Sequence, residues 1–168
     1  PKQNAEILEL ACGPGNITKY LLTKRPDFKI LGTDLAPNMI ELAKKNNSQA
    51  VFQLLDCRQI IWLNKKFDAI MCGFAFPYLS KEEAVKLIGD ALQVLNPDGV
   101  IYISTMEDDY SKSGFEKGST GEELFMHYHE AGYLTEALEK SGFKIINLQR
   151  VKQADVTDLI IIAKKNKV

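Results

Sequence analysis

Short apolar runs alternate in this chain with stretches of helical period, and that alternation constrains the fold more than any other feature. Residues 5–10 (AEILEL), 28–33 (FKILGT), 51–55 (VFQLL), 67–72 (FDAIMC) and 100–104 (VIYIS) each read as a buried strand. Helical patterns lie between them. Residues 16–24 carry Ile17, Tyr20, Leu21 and Leu22 on one side, and Pro37 opens a second helix with Met39, Ile40, Leu42 and Ala43. Ser80 followed by Glu83 is a capping box that opens a third, through Ala84, Val85, Leu87, Ile88, Ala91, Leu92 and Leu95. Strands joined by helices run parallel, with helices on both faces of the sheet. Residues 107–121 are polar and read as a long loop, and residues 134–141 form a further helix closed by Gly142. Two late strands, residues 143–151 and 158–164, are joined by too few residues for a parallel crossover, so that pair is antiparallel.

The expected fold class is therefore α/β: a Rossmann-like doubly wound sheet, mostly parallel with an antiparallel last strand, helices on both faces. At 168 residues the chain suits one domain over 1–168. It begins at Pro1 with a strand pattern directly behind, so the expectation includes an N-terminal helical segment trimmed or left out. Twenty-one basic residues against 22 acidic ones give a net charge of −1, which argues against a duplex nucleic-acid binder. The longest apolar stretches, such as residues 159–163, fall far short of the ~20 residues of a membrane span. Cys12, Cys57 and Cys72 are odd in number and lack C-x-x-C spacing, which fits a reducing cytoplasm better than disulfides or zinc. His127-x-His129 with Glu130 has no second ligand cluster, so no metal is expected.

In a doubly wound sheet ligands bind at the carboxyl ends of the strands, near the point where strand order reverses. Here those ends carry Ala11-Cys12-Gly13-Pro14-Gly15-Asn16, Asp34-Leu35, Asp56-Cys57 and Gly73-Phe74. Gly13 and Gly15 permit a tight turn and close backbone approach by a ligand, and a helix N-terminus follows at once. Asp34 lies 19 residues beyond Gly15, where a carboxylate can accept both ribose hydroxyls. Thr18 stands where a dinucleotide fingerprint has its third glycine, which counts against NAD. On its own the Gly-x-Gly pair is equally compatible with a structural turn. Helix capping is the alternative for Asp34, and a cap or a solvated carboxylate the alternative for Asp56.

Several longer runs resemble one family. Residues 7–16 (ILELACGPGN) are similar to the first motif of class I S-adenosylmethionine-dependent methyltransferases, and residues 31–45 (LGTDLAPNMIELAKK) to the second. Residues 67–79 (FDAIMCGFAFPYL) and 95–105 (LNPDGVIYIST) resemble later motifs, and residues 128–145 (YHEAGYLTEALEKSGFKI) the closing segment of small-molecule members. The resemblance implies S-adenosylmethionine as cofactor and S-adenosylhomocysteine as product. Glu9 with the turn at Ala11, Cys12, Gly13, Gly15 and Asn16 would hold the methionine moiety. Asp34 would take the ribose, Leu35 and Met39 would flank adenine, and Asp56 would accept the adenine amino hydrogens beside the Cys57 backbone. Gly73 and Phe74 would line the approach to the sulfonium. The family often has glycine where Ala11 stands; the expectation is only tighter packing there.

The implied reaction is in-line methyl transfer, in which the leaving group arrives activated and the protein positions the reactants. A base is needed only if the acceptor loses a proton, and His129 or Tyr128 is the candidate, with packing as the alternative for His129. Phe76-Pro77-Tyr78 only echoes the Asn/Asp-Pro-Pro-aromatic motif of nucleic-acid amino methyltransferases, so a small-molecule acceptor is favoured over RNA or DNA. A non-catalytic binding subunit and, less well supported, an NAD oxidoreductase or an RNA or protein methyltransferase are the rivals.

Overall fold

The computed structural model describes residues 2–117, 121, 123–153 and 156–167. The order of elements is β1 (Glu6–Leu10), α1 (Asn16–Lys24), β2 (Lys29–Asp34), α2 (Pro37–Asn46), β3 (Val51–Leu54), β4 (Phe67–Gly73), α3 (Lys81–Val94), β5 (Leu95–Glu107), β6 (Gly114–Lys117), β7 (Glu123–Met126), α4 (Ala131–Ser141), β8 (Phe143–Gln153) and β9 (Val156–Lys165). Short 3₁₀ turns cover Cys57–Leu63, Phe76–Tyr78 and Tyr110–Lys112.

Seven strands form one sheet in the order β3-β2-β1-β4-β5-β9-β8. Neighbours pair in parallel except around β9, which is antiparallel to both β5 and β8. The chain winds outward from β1 to β3, then crosses to β4 and winds the other way. Strand order thus reverses between β1 and β4, which is where such sheets open a ligand crevice.

Alternation along the strands sorts the core. Leu8, Leu10, Ile70, Ile101 and Ile161 pack with Leu87 and Ile88 of α3 and Leu134 and Leu138 of α4. On the opposite face Ile7, Phe28 and Ile30 pack beneath Leu21 and Leu22 of α1, while Ile40 and Ala43 of α2 close over Phe52. Fully burying one such side chain contributes about 1.5–3 kcal/mol. Farther along this second face Ile7, Leu21, Met71, Val100, Tyr102 and Ile162 border an apolar cavity of about 260 Å³. The capping box of α3 forms as expected: Ser80 Oγ accepts from the Glu83 amide at 3.2 Å, and Glu83 Oε2 accepts from the Ser80 amide at 2.9 Å.

Three boundaries differ from the sequence reading. β5 extends well beyond 100–104 at both ends, because a register shift between Phe67 and Ala69 lets Leu95 pair before the turn at Asp98. The polar stretch read as a loop contains β6, which pairs with β7 just beyond that stretch in a hairpin whose Phe115 and Phe125 rings meet edge-on while remaining exposed; residues 118–120 of the stretch lie outside the described residues. α4 begins at Ala131, whose amide is taken by Glu107 Oε1 at 3.2 Å.

Candidate functional site

The turn after β1 is built from left-handed backbone. Ala11, Gly13 and Gly15 have φ of 50°, 51° and 81°. A side chain at Gly13 would meet nothing within 4 Å, so this is the open side of the turn. Gly15 serves a different purpose. A Cβ there would lie 2.4 Å from Asn47 Nδ2, which donates to the Gly15 carbonyl at 3.0 Å and draws α1 against α2. Ala11 corrects an expectation: glycine is favoured at its position by conformation rather than volume, since a left-handed L-residue costs about 1–2 kcal/mol. Cys12 is buried and Asn16 exposed.

Asp34, at the end of β2, binds the turn from the side. Its Oδ2 accepts from the Gly13 amide at 2.8 Å and its Oδ1 from the Ala36 amide at 2.9 Å. Ala36, not Asp34, is the N-cap of α2. Each oxygen accepts one of these amides and keeps room for a second donor. Leu35 beside it is exposed and Met39 half-buried.

Glu9 lies beneath the turn, 1% exposed. The Thr18 hydroxyl donates to its Oε2, while Oε1 is buried with no partner among the described residues. Burial pushes the Glu9 carboxyl up to about 7. The sequence reading used Thr18 only as evidence against a dinucleotide and missed its pairing with Glu9, although its place on the inward face of the first turn of α1 was a usable signal.

Asp56, after β3, caps the Cys57–Leu63 turn by accepting from the Arg58 amide at 2.9 Å. The Arg58 side chain also reaches it: Nε lies 2.9 Å from both carboxylate oxygens and Nη2 2.6 Å from Oδ2. This pairing holds the Asp56 carboxyl below its usual range. Cys57 is half-buried and its thiol is pushed up to about 11 by burial.

At the end of β4 a Cβ on Gly73 would strike Ile17 Cδ1 at 2.3 Å, so glycine lets α1 pack there. Phe74 follows with a φ of 54°. Its amide donates to the Ser104 carbonyl and hydroxyl at 3.0 and 3.1 Å, and its ring is exposed.

The two candidate bases differ in burial and partners. His129 is fully buried. Its Nε2 lies 2.8 Å from the Phe76 carbonyl, which can only accept, so Nε2 carries the proton and Nδ1 accepts from the Tyr133 hydroxyl. Burial lowers its pKa. A general base needs a lone pair facing the substrate, and this imidazole has none to offer. Tyr128 donates to Glu116 Oε1 at 2.8 Å, a contact that raises its pKa and occupies its proton. In this geometry the polar atoms of both side chains are engaged by other residues of the chain. His127 is instead half-buried, with Nδ1 3.3 Å from the Tyr110 hydroxyl. Among the described residues no three His, Cys, Asp or Glu side chains gather as metal ligands.

A glycine turn with an open side, a carboxylate with spare acceptor capacity at the end of β2 and a buried oxygen without a partner among the described residues thus gather where strand order reverses. The sequence profile of the family described as methyltransferase domain matches residues 7–99, more than half of the 168, and the chain belongs to that family. It is 35% identical over 106 residues to malonyl-[acyl-carrier protein] O-methyltransferase of Acetivibrio thermocellus, covering 62% of this chain and 36% of that protein. It is 32% identical over 99 residues to trans-aconitate 2-methyltransferase of Variovorax paradoxus, covering 59% of this chain and 38% of that one. The chain thus spans little more than a third of the length of these two relatives. A solved SAM-dependent methyltransferase from Methanosarcina mazei superposes with a TM-score of 0.83 at 18% identity, over 100% of this chain and 95% of that chain. The fold is that of the class I methyltransferases.

Proposed function

We propose that this domain binds S-adenosylmethionine across the ends of β1 to β4 and transfers its methyl group to a small-molecule acceptor. The observation that carries the reading is Glu9 Oε1, a buried acceptor with no donor among the described residues, beneath the open side of the Gly13 turn. A buried oxygen left in that state costs about 1–3 kcal/mol, and a cationic amino or sulfonium group brought to the turn would relieve it.

When bound, the cofactor supplies a methyl group on a positively charged sulfur that is already activated for displacement. The chain's own residues then bind, orient and exclude water. Asp34 takes the ribose hydroxyls with its spare lone pairs, and Leu35 and Met39 offer apolar surface to the adenine. Asp56 and the Cys57 backbone face its amino edge. Phe74 and Tyr78, both exposed at the end of β4, shield the reacting atoms and align the acceptor. No side-chain base is required for an acceptor that attacks without losing a proton first.

The net charge of −1 and the missing Asn or Asp before Pro77 favour a small acceptor over nucleic acid. The names of the two relatives, a malonyl-[acyl-carrier protein] O-methyltransferase and a trans-aconitate 2-methyltransferase, likewise favour an acceptor other than nucleic acid. Three free thiols favour a reducing cytoplasm. No helix among the described residues is long and apolar enough to cross a membrane.

Calorimetric titration with S-adenosylhomocysteine, and with NAD in parallel, tests the cofactor. Micromolar binding of the former alone supports the reading; binding of NAD instead, or of neither, overturns it. A domain that binds S-adenosylhomocysteine yet methylates nothing in an acceptor screen would be the non-catalytic subunit.

A further inference from the structure

The adenine end of the proposed site is occupied by the protein itself. Four contacts from Arg58 fill the Asp56 carboxylate. The Arg58 amide and Nε reach Oδ1 at 2.9 Å each, while Nε and Nη2 reach Oδ2 at 2.9 and 2.6 Å. A carboxylate offers about four lone-pair sites, so none is left for an incoming amino group. The remaining guanidinium arm, Nη1, lies 2.9 Å from Glu83 Oε1. Glu83 is itself fixed, because its Oε2 accepts the Ser80 amide in the capping box of α3.

We infer that Arg58 is a specificity-determining residue of the cofactor site, an internal competitor for the adenine amino group at Asp56 with Glu83 as the berth to which it withdraws. The inference rests on the adenosyl reading above. Three observations make the exchange feasible. The Arg58 side chain is 43% exposed, so it moves without unpacking the core, while Asp56 at 16% stays in place. The Arg58 amide keeps its bond to Oδ1, so Asp56 remains aimed when the guanidinium leaves. Glu83 already holds one arm, so the departing cation is never unpaired. No proton moves and no covalent bond changes; one charge-assisted pair is exchanged for another.

The arrangement has a consequence for ligand choice. With Arg58 in place the spot presents guanidinium donors and no free acceptor, and a 6-oxo purine is tolerated. With Arg58 withdrawn it presents a bare carboxylate, which accepts from a 6-amino group and repels a 6-oxo oxygen.

The test titrates S-adenosylhomocysteine and its 6-oxo counterpart, S-inosylhomocysteine, into the wild-type chain, Arg58→Gln, Arg58→Lys, Glu83→Gln and the double variant Arg58→Gln/Glu83→Gln, with thermal melts confirming that each is folded. Removing the competitor should tighten adenosyl binding about threefold to tenfold and widen the amino-over-oxo preference by a similar factor. Arg58→Lys should fall between. Glu83→Gln should weaken adenosyl binding while Arg58 is present and have no effect once it is gone. Equal or weaker adenosyl binding by Arg58→Gln, or a Glu83→Gln effect that persists in the double variant, overturns the inference. Failure of the wild type to bind S-adenosylhomocysteine at all removes the adenosyl reading and the inference with it, whereas wild-type binding without the Arg58→Gln gain removes the inference alone.

Discussion

Replacing Glu9 by Gln takes one titrating group out of the interior and should flatten the pH dependence of stability between pH 5 and 8. In the wild type the Glu9 carboxyl goes from an ordinary 4.5 in the unfolded chain to about 7 when folded, because burial disfavours its charge. The folded state therefore holds this proton more tightly than the unfolded state does. Stability from the neutral carboxyl is complete below pH 4.5, declines as pH rises toward 7, and stays reduced above that. Each pH unit in the window removes at most about 1.4 kcal/mol, so the whole decline approaches about 3 kcal/mol. Glu9→Gln keeps an oxygen for the Thr18 hydroxyl and has nothing to titrate. Urea unfolding of both proteins at pH 5, 6, 7 and 8 reads the difference, provided the m-values agree. The variant should gain about 3 kcal/mol relative to the wild type across the series. Parallel curves would refute the reasoning, since they would mean that the carboxyl is solvated or finds a partner for Oε1.

Asp34→Ala should weaken S-adenosylhomocysteine binding by about 1–3 kcal/mol, and wild-type affinity in calorimetry would sink the ribose assignment. Ala11→Gly relieves a left-handed alanine worth about 1–2 kcal/mol and returns about 0.5–1 kcal/mol as glycine's added chain entropy. The net is a rise in Tm of about 1–4 °C by scanning calorimetry; a fall would show that the alanine methyl packs well enough to outweigh its backbone. His129→Ala leaves a hole and strips partners from the Phe76 carbonyl and Tyr133 hydroxyl, for a loss of about 2–5 kcal/mol in urea unfolding. Once an acceptor is known, turnover per folded molecule should survive that change, and its collapse in a folded variant would restore a catalytic role.

The sheet was legible because its five parallel strands are continuous apolar runs, as strands buried on both faces must be, and because the short connection before β9 forbids a crossover. Gly13 and Asp34 were legible through their spacing on that frame. Ala11 was not, since an alanine carries no sign of the φ its turn imposes. Arg58 was hidden for a related reason: its grip on Asp56 depends on an N-cap two residues upstream, in a 3₁₀ turn that has no helical period to announce it. The extended stretch around His129 alternates sides. Sequence shows that His127 and His129 face the same way while Tyr128 faces the other, but whether that side meets a pocket or the core depends on Phe76 and Tyr133, 53 residues before and 4 after His129. The β6–β7 hairpin was missed because its strands are four residues long and leave their phenylalanines exposed.

β9 covers β5 through eight register pairs, from Val100 with Lys164 to Glu107 with Thr157. The segment it seals, VIYIST at 100–105, is β-branched, aromatic and uncharged, the composition of strands that stack on copies of themselves. A chain that loses β9 would expose that segment as an open edge and recruit other chains to it. With β9 in place the sheet ends on β8, where Lys144, Arg150 and Lys152 are exposed and discourage such pairing. Resistance to aggregation at this end of the molecule therefore depends on a strand that is synthesised after the six others of its sheet.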